Sequence, residues 1–188
     1  RRFLDIMIGQ LRPNYIYILN RYNKILEQRN NYLKQIKTEG KKEELLWMWD
    51  EKLAEYGEKI FSYRKEFTEK IFQEMFPIHK NITNEGEEIK LIYQSDCENK
   101  QNFIENLQKT KKIDIMKGFT TKGIHRDDFN IFINGKLVNI YGSQGQNRTV
   151  ILSLKLAELQ VIYKEIGEYP ILLLDEFMSE LDEKRRNN

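Results

Sequence analysis

The stretch from Gly142 to Asp182 restricts the possible fold more than any other. Gly142-Ser143-Gln144-Gly145-Gln146 is a small-residue turn that leads directly into an apolar helical run, Val150 to Ile166. Tyr169-Pro170 then opens Ile171-Leu172-Leu173-Leu174, which stops on Asp175-Glu176, and Ser179-Glu180-Leu181-Asp182 follows. Four apolar residues between a proline and two acids suit a strand buried on both faces of a parallel sheet. The order predicts an α/β fold with the acids at the carboxyl end of the strand, where such sheets bind ligands. A carboxylate there can hold magnesium on phosphate oxygens while its neighbour orients a water. Each piece alone has a plain structural reading, since serine caps helices and glycine makes tight turns. It is their occurrence together and in order that points to half of a composite nucleotide site.

Upstream, two amphipathic helices are expected. From Pro13, a favourable first helical residue, Tyr15, Tyr22, Arg29 and Ile36 recur every seven residues up to about Lys37. Thr38 to Lys42, with Gly40 at its centre, breaks the pattern. A second heptad pattern runs through Leu46, Trp49, Leu53, Tyr56, Ile60, Tyr63 and Phe67 to Met75, and Pro77 is expected to end it. Two such helices across a short glycine turn read as an antiparallel hairpin. Trp47, Trp49, Tyr56 and Tyr63 are then packing residues, and Gly57 marks a close helix approach.

Beyond Pro77 the period changes. Ile78 to Ile82 and Ile89 to Tyr93, on either side of Asn84-Glu85-Gly86-Glu87, predict a β-hairpin, with His79 an ordinary surface histidine. Helical spacing returns over 98–116 through Phe103, Ile104, Leu107 and Ile113. Phe129, Ile131 and Ile133 alternate up to Asn134-Gly135, a strong signal for a tight hairpin. His125-Arg126-Asp127-Asp128 offers an imidazole and two carboxylates, but adjacent strand residues face opposite ways and cannot converge on one ion. An internal bracket between Arg126 and its neighbouring carboxylates, positioning the 142–146 turn, is expected instead.

Composition narrows the classes. At 32% charged residues with a net charge of +2, the chain is not a bulk polycation, so any DNA surface must come from local clustering. Lys109, Lys111, Lys112, Lys117 and Lys122, with Arg126 nearby, form such a cluster, readable as a solvated face or as a phosphate-contacting patch. A single cysteine, Cys97, excludes an internal disulfide and suits a reducing cytosol. No apolar run approaches the ~20 residues needed to span a bilayer, so a soluble, cytoplasmic protein without a membrane partner is expected.

The turn, helix, strand, acid pair and Ser-Glu-Leu-Asp match the second half of an ABC-type ATPase head. More specifically, Gly123 to Lys136, Tyr141 to Gln160 and Tyr169 to Asp182 resemble the bacterial RecF family of recombination and repair proteins, as do Arg1 to Asp5 and Leu26 to Asn30. RecF proteins usually carry proline at the position of Ile124 and glutamine at that of Asn147; neither departure touches the Ser-Gln-Gly-Gln core. The resemblance implies the carboxyl-terminal lobe of an SMC/ABC-type head, a mostly parallel sheet with helices, bearing a short antiparallel helical arm. Residues 1–12 would then end an amino-terminal lobe, 13–77 form the arm, 78–117 its base, and 118–188 the lobe with signature, Walker B and D-loop.

By the same resemblance, Asp175 would hold magnesium and Glu176 would act on the attacking water. Ser143, Gln144, Gly145 and Gln146 would contact ATP bound to a second copy, and Ser179 and Asp182 would lie in the D-loop. The family implies an ATP-dependent homodimer on double-stranded, gapped or junction DNA near the bacterial nucleoid, in the response to DNA damage. It also implies that RecR and RecO act with it to load RecA. The only Gly-Lys pairs are followed by Lys42 and Leu137, so the chain contains no Gly-x-x-x-x-Gly-Lys-Ser/Thr loop and is expected to hydrolyse no ATP alone. Two other readings share part of the pattern. A transporter ATPase would lack the heptad arm, and a non-catalytic DNA- or protein-interaction fragment would need no phosphate loop.

Overall fold

A computed structural model describes residues 1–171. The chain divides into two compact units, one formed by 1–65 and 94–128, the other by 66–93 and the residues from 129 onward. The division falls within a long helix, α3.

The first unit is helical. It contains α1 (Arg2–Leu11), α2 (Pro13–Glu39), the beginning of α3 (Trp47–Ile82) and α4 (Lys100–Lys117), with short 3-10 turns at Glu43–Leu46 and Ile124–Arg126. The heptad positions Tyr15, Tyr22, Arg29 and Ile36 all lie on the buried face of α2, where the sequence pattern puts them. Gly40 closes α2 in the left-handed conformation at φ 64°. The returning helix runs antiparallel: Tyr15 packs edge-on against Tyr63 with centroids 5.5 Å apart, and Tyr32 lies 4.7 Å from Trp49. Trp47, by contrast, is exposed. The close approach expected at Gly57 is present, since a Cβ there would sit 2.4 Å from Phe103 Cε1.

Two buried guanidinium groups hold this unit together. Arg29 donates from Nε to Asp50 at 2.7 Å and from Nη1 to Asp114 and Thr120, each at 2.8 Å. Arg64 donates to both oxygens of Asp5 at 2.9 and 3.2 Å, and to the Ile124 carbonyl at 2.9 Å. Fully desolvated charges persist only when paired and hydrogen-bonded; both arginines are ion-paired, and of the buried Arg29 nitrogens Nη2 alone has no partner among the described residues.

The second unit contains the rest of α3, a three-stranded sheet in the order β1 (Ile89–Gln94), β2 (Asp128–Ile133), β3 (Lys136–Leu137), a one-turn helix α5 (Val138–Tyr141), and α6 (Gln144–Ile166). β2 and β3 pair antiparallel, with Phe132 opposite Leu137 and Ile133 opposite Lys136. Their turn is the predicted Asn134-Gly135, both residues at positive φ (49° and 74°). The strand expected over 171–174 lies outside the described residues.

The hairpin expected over 78–93 is corrected in its first half. Pro77 does not end α3, which continues to Ile82, so Ile78 to Ile82 are helical and only the second segment is a strand. Proline removes one intrahelical bond and crowds the preceding turn. Here its ring lies on the exposed face, while Met75 and His79 on either side are buried. Asn84 and Glu85, at φ 49° and 60°, then terminate the helix, with the Glu85 amide donating to the Lys80 carbonyl at 2.8 Å.

Candidate nucleotide-contact site

α6 begins where its sequence dictates. Ser143 is its N-cap: Oγ accepts the Gln146 amide at 3.1 Å, and the Ser143 amide donates to Gln146 Oε1 at 2.9 Å. This reciprocal capping box satisfies donors that the first helical turn would otherwise leave open. Asn147 adds a clamp, donating from Nδ2 to the carbonyls of Gly142 (3.1 Å) and Ser143 (3.0 Å). Gly142 is sterically required, because a Cβ there would lie 2.5 Å from the Val138 carbonyl oxygen. Ser143 and Gln144 are exposed, and no acid occupies the first turn of this 23-residue helix. Its positive end, about half an elementary charge, therefore faces outward without a first-turn carboxylate and can take an anionic ligand.

The turn is backed by a second set of side chains. Gln146 Nε2 donates to Glu87 Oε1 at 3.2 Å, and Glu87 Oε2 lies 3.2 Å from His79 Nε2. His79 Nδ1 meets Ser153 Oγ at 3.0 Å. Expected at the surface, His79 is instead fully buried. Its partners lie 8 and 74 residues away in sequence, too far for local pattern to reveal. α3 and α6 are further joined by Lys70 to Glu165 at 2.5 Å and Lys164 to Glu74 at 2.6 Å.

The His125-Arg126-Asp127-Asp128 segment belongs to other contacts. His125 has both ring nitrogens engaged, Nδ1 with the Tyr22 hydroxyl at 2.9 Å and Nε2 with the Thr120 carbonyl at 3.1 Å. Nε2 must donate to a carbonyl, which leaves Nδ1 to accept from the phenol, so the ring is neutral. Burial lowers its pKa from 6.5 to about 4. Asp127 pairs with Arg64 at 3.7 Å, while Arg126 lies over the Phe119 ring at 5.7 Å. The bracketing arginine is therefore Arg64, and its contacts lie in the first unit, not at the 142–146 turn. Among the described residues no three metal-ligating side chains come together.

The basic cluster is partly neutralised. Lys109, Lys111 and Lys122 lie 3.9, 3.3 and 2.5 Å from Glu105, Glu43 and Asp96, while Lys112 and Lys117 stand on exposed positions of α4. Asp175, Glu176, Ser179 and Asp182 lie outside the described residues.

The whole chain is 42% identical over 198 residues to the DNA replication and repair protein RecF of Bacillus cereus, and equally to that of Bacillus thuringiensis, covering 53% of each. A solved structure of the recombination mediator protein RecF with ATP in the RecFOR pathway superposes on the whole chain with a TM-score of 0.92 and 41% identity, over 52% of that structure's length. The chain belongs to the RecF family. A second RecF structure, with ATPγS, matches 98% of the chain with a TM-score of 0.89 and 42% identity. No family model matches. The RecF-family chain spans about half the length of the curated relatives it matches, and its fold is that of the ABC/SMC-type ATPase head. No helix among its described residues is long and apolar enough to cross a membrane.

Proposed function

We propose that this chain is the signature-bearing lobe and helical arm of an ATP-dependent DNA clamp that serves recombinational repair in the bacterial cytoplasm. One observation carries the reading. The Ser-Gln-Gly-Gln turn caps a 23-residue helix with its first turn free of acids, in a chain that aligns throughout with RecF. Such an end is suited to the γ-phosphate of ATP held by a second copy. In a head completed by an amino-terminal lobe with a phosphate-cradling loop, ATP would lie between two protomers, with Ser143 and the Gly145 amide reaching it from the opposite side.

Asp175 and Glu176 follow the apolar run in the order that suits a metal-holding and a water-orienting carboxylate. Magnesium would neutralise the charge developing on the phosphates, and Asp175 would hold it there. Glu176 would orient or deprotonate the attacking water, and Ser179 and Asp182 would lie in the loop joining the two sites. Because the turn meets the partner's nucleotide, ATP acts as the dimerisation ligand and hydrolysis loosens the clamp. Lys112 and Lys117, exposed on α4, are the first candidates for phosphate contacts to DNA. Action with RecR and RecO on gapped DNA, leading to RecA loading, is part of the same proposal, and the RecFOR context of the solved relatives supports the shared pathway.

Both Gly-Lys pairs support a division of labour between lobes. Gly40 is the left-handed cap of α2 and Gly135 is a hairpin residue, so neither belongs to a phosphate loop. The 188-residue chain alone should turn over no ATP. The deciding experiment uses the full-length protein carrying Glu176→Gln to preserve bound ATP, with mass in solution measured with magnesium, with and without ATP. ATP-dependent dimers that bind gapped duplex DNA more tightly than monomers, and that Ser143→Arg abolishes, are expected. A monomer indifferent to ATP would sink the composite site and leave a non-catalytic interaction module.

A further inference from the structure

The bonds behind the signature turn form a closed circuit. It runs from Gln146 to Glu87, from Glu87 to His79 and from His79 to Ser153. The Ser153 hydroxyl donates to the Thr149 carbonyl at 2.8 Å, and the Thr149 hydroxyl donates to the Gly145 carbonyl at 2.9 Å, one residue from the start. His79 Nε2 faces a Glu87 oxygen and Nδ1 faces the Ser153 hydroxyl, so the buried ring ties the Glu87 carboxylate to α6. The side chains of the circuit come from two helices and a loop. His79 is on the last turns of α3, Thr149 and Ser153 are on α6, and Glu87 is on the loop between α3 and β1.

That loop is itself pinned. The Glu88 amide donates to Asn134 Oδ1 and the Asn134 amide returns a bond to the Glu88 carbonyl, both at 2.9 Å. Thr83 Oγ1 donates to the His79 carbonyl at 2.9 Å. A capping box requires only Ser143 and Gln146, yet here the Gln146 amide group is also bound from behind by a carboxylate seated on a buried imidazole. The two oxygens of Glu87 divide the work, one holding Gln146 and the other held by His79. Free rotation of Gln146 would release the Ser143 amide and let the turn reorient. With the circuit closed, the turn is preorganised.

We infer that Glu87 and His79 are positioning residues of the signature turn, holding Gln146, and through it Ser143, in the geometry that meets the partner's nucleotide. The inference rests on the composite-site reading above, and the test separates the two. In the full-length protein with magnesium and ATPγS, the dimerisation constant is measured by sedimentation. Nucleotide affinity of the dilute monomer and the thermal midpoint are measured alongside it.

Glu87→Ala should weaken nucleotide-dependent dimerisation about tenfold, the scale of one lost hydrogen bond to a charged group, while monomer affinity stays within about twofold. Glu87→Gln keeps an acceptor for Gln146 and should recover most of the loss. Dimerisation of Glu87→Ala at the wild-type level, in a protein whose dimer Ser143→Arg destroys, would overturn the positioning role and leave the composite site standing. Wild-type dimerisation of Ser143→Arg would instead overturn the composite site. A parallel fall in dimerisation, monomer affinity and thermal midpoint, without recovery in Glu87→Gln, would reduce the circuit to a folding element and overturn the inference. Should Glu87→Ala not fold, Glu87→Met removes the acceptor for Gln146 at similar side-chain volume while leaving the Ser143–Gln146 box intact, and the same readouts decide.

Discussion

In the first unit the buried polar network ends inside the core, whereas in the second it ends at an exposed turn. Arg29 is sealed among Asp50, Asp114 and Thr120, and the Asp114 carboxylate also takes the Thr121 amide and hydroxyl at 2.9 and 2.6 Å. Its charged groups, Arg29, Asp50 and Asp114, are all buried. The circuit through His79 finishes on half-buried Gln146 and, through it, on the exposed Ser143. Buried hydrogen bonding thus serves two ends. One network specifies how helices pair, and the other sets the direction of a binding group. The comparison can be broken by asking whether damage to the first costs stability and damage to the second costs binding.

The largest effect on stability is expected from Arg29→Met. Removing one member of a buried charge cluster leaves the others uncompensated, at a cost of about 3–5 kcal/mol. Burial already pushes the Asp50 carboxyl up, against the pull of Arg29. Without Arg29 the folded state holds the Asp50 proton still more tightly than the unfolded chain does, so the variant loses stability as pH rises. Urea unfolding should therefore show a larger deficit at pH 8 than at pH 5. Both tryptophans, Trp47 and Trp49, lie in the first unit, so their fluorescence reports on it directly.

His125 gives the next effect, with the opposite sign. Its folded pKa, about 4, lies below the ordinary 6.5, so the unfolded chain takes up the proton first. Stability present above pH 6.5 should fall as pH is lowered towards and below 4, by about 3 kcal/mol at full extent. His125→Gln removes the titration, and the gap between wild type and variant should narrow over that interval in tryptophan-detected unfolding. An unchanging gap would mean that the buried ring does not titrate as its surroundings require.

These networks also mark how far pattern reading reaches. The heptad in α2 was sufficient to place Tyr15, Tyr22, Arg29 and Ile36 on one buried face, because helical period and burial are local matters. The Asn134-Gly135 turn was legible for the same reason. What Arg29 pairs with was not, since Asp114 is 85 residues distant. His79 looked isolated because its partners come from another loop and another helix. Pro77 misled because a local rule against proline in helices was outweighed by burial of the residues around it. The Arg126 bracket failed for a related reason, as the charge that meets Asp127 comes from Arg64 on α3. At the candidate site, the Ser143 cap was readable from its own turn, while its support by Glu87 was not.

Gly57 tests packing rather than charge. An alanine Cβ would come within 2.4 Å of Phe103 and 3.2 Å of Ile124, both fully buried and unable to yield cheaply. Overpacking of this kind costs about 1–3 kcal/mol, against which alanine regains up to about 1 kcal/mol of helix propensity. A net loss of about 1–2 kcal/mol in the tryptophan-detected transition is expected for Gly57→Ala. A stabilised variant would show that α3 and α4 can separate and that the close approach is not needed.

The smallest effect on stability should accompany one of the largest on binding. Ser143→Ala removes the cap acceptor for the Gln146 amide, a loss of about 1 kcal/mol at the start of α6. Hydrogen exchange at the first-turn amides should quicken by roughly fivefold, the factor that 1 kcal/mol represents, while the tryptophan transition of the first unit stays in place. The hydroxyl is also the group proposed to meet the partner's nucleotide, so ATP-dependent dimerisation should fall by far more than the lost cap accounts for. If dimerisation falls only in proportion to the exchange rate, Ser143 acts through the helix end alone, and the ligand contact passes to the amides of the turn. If it falls further, the side chain itself carries the contact, and the outward-facing network of the second unit differs in kind from the sealed one around Arg29.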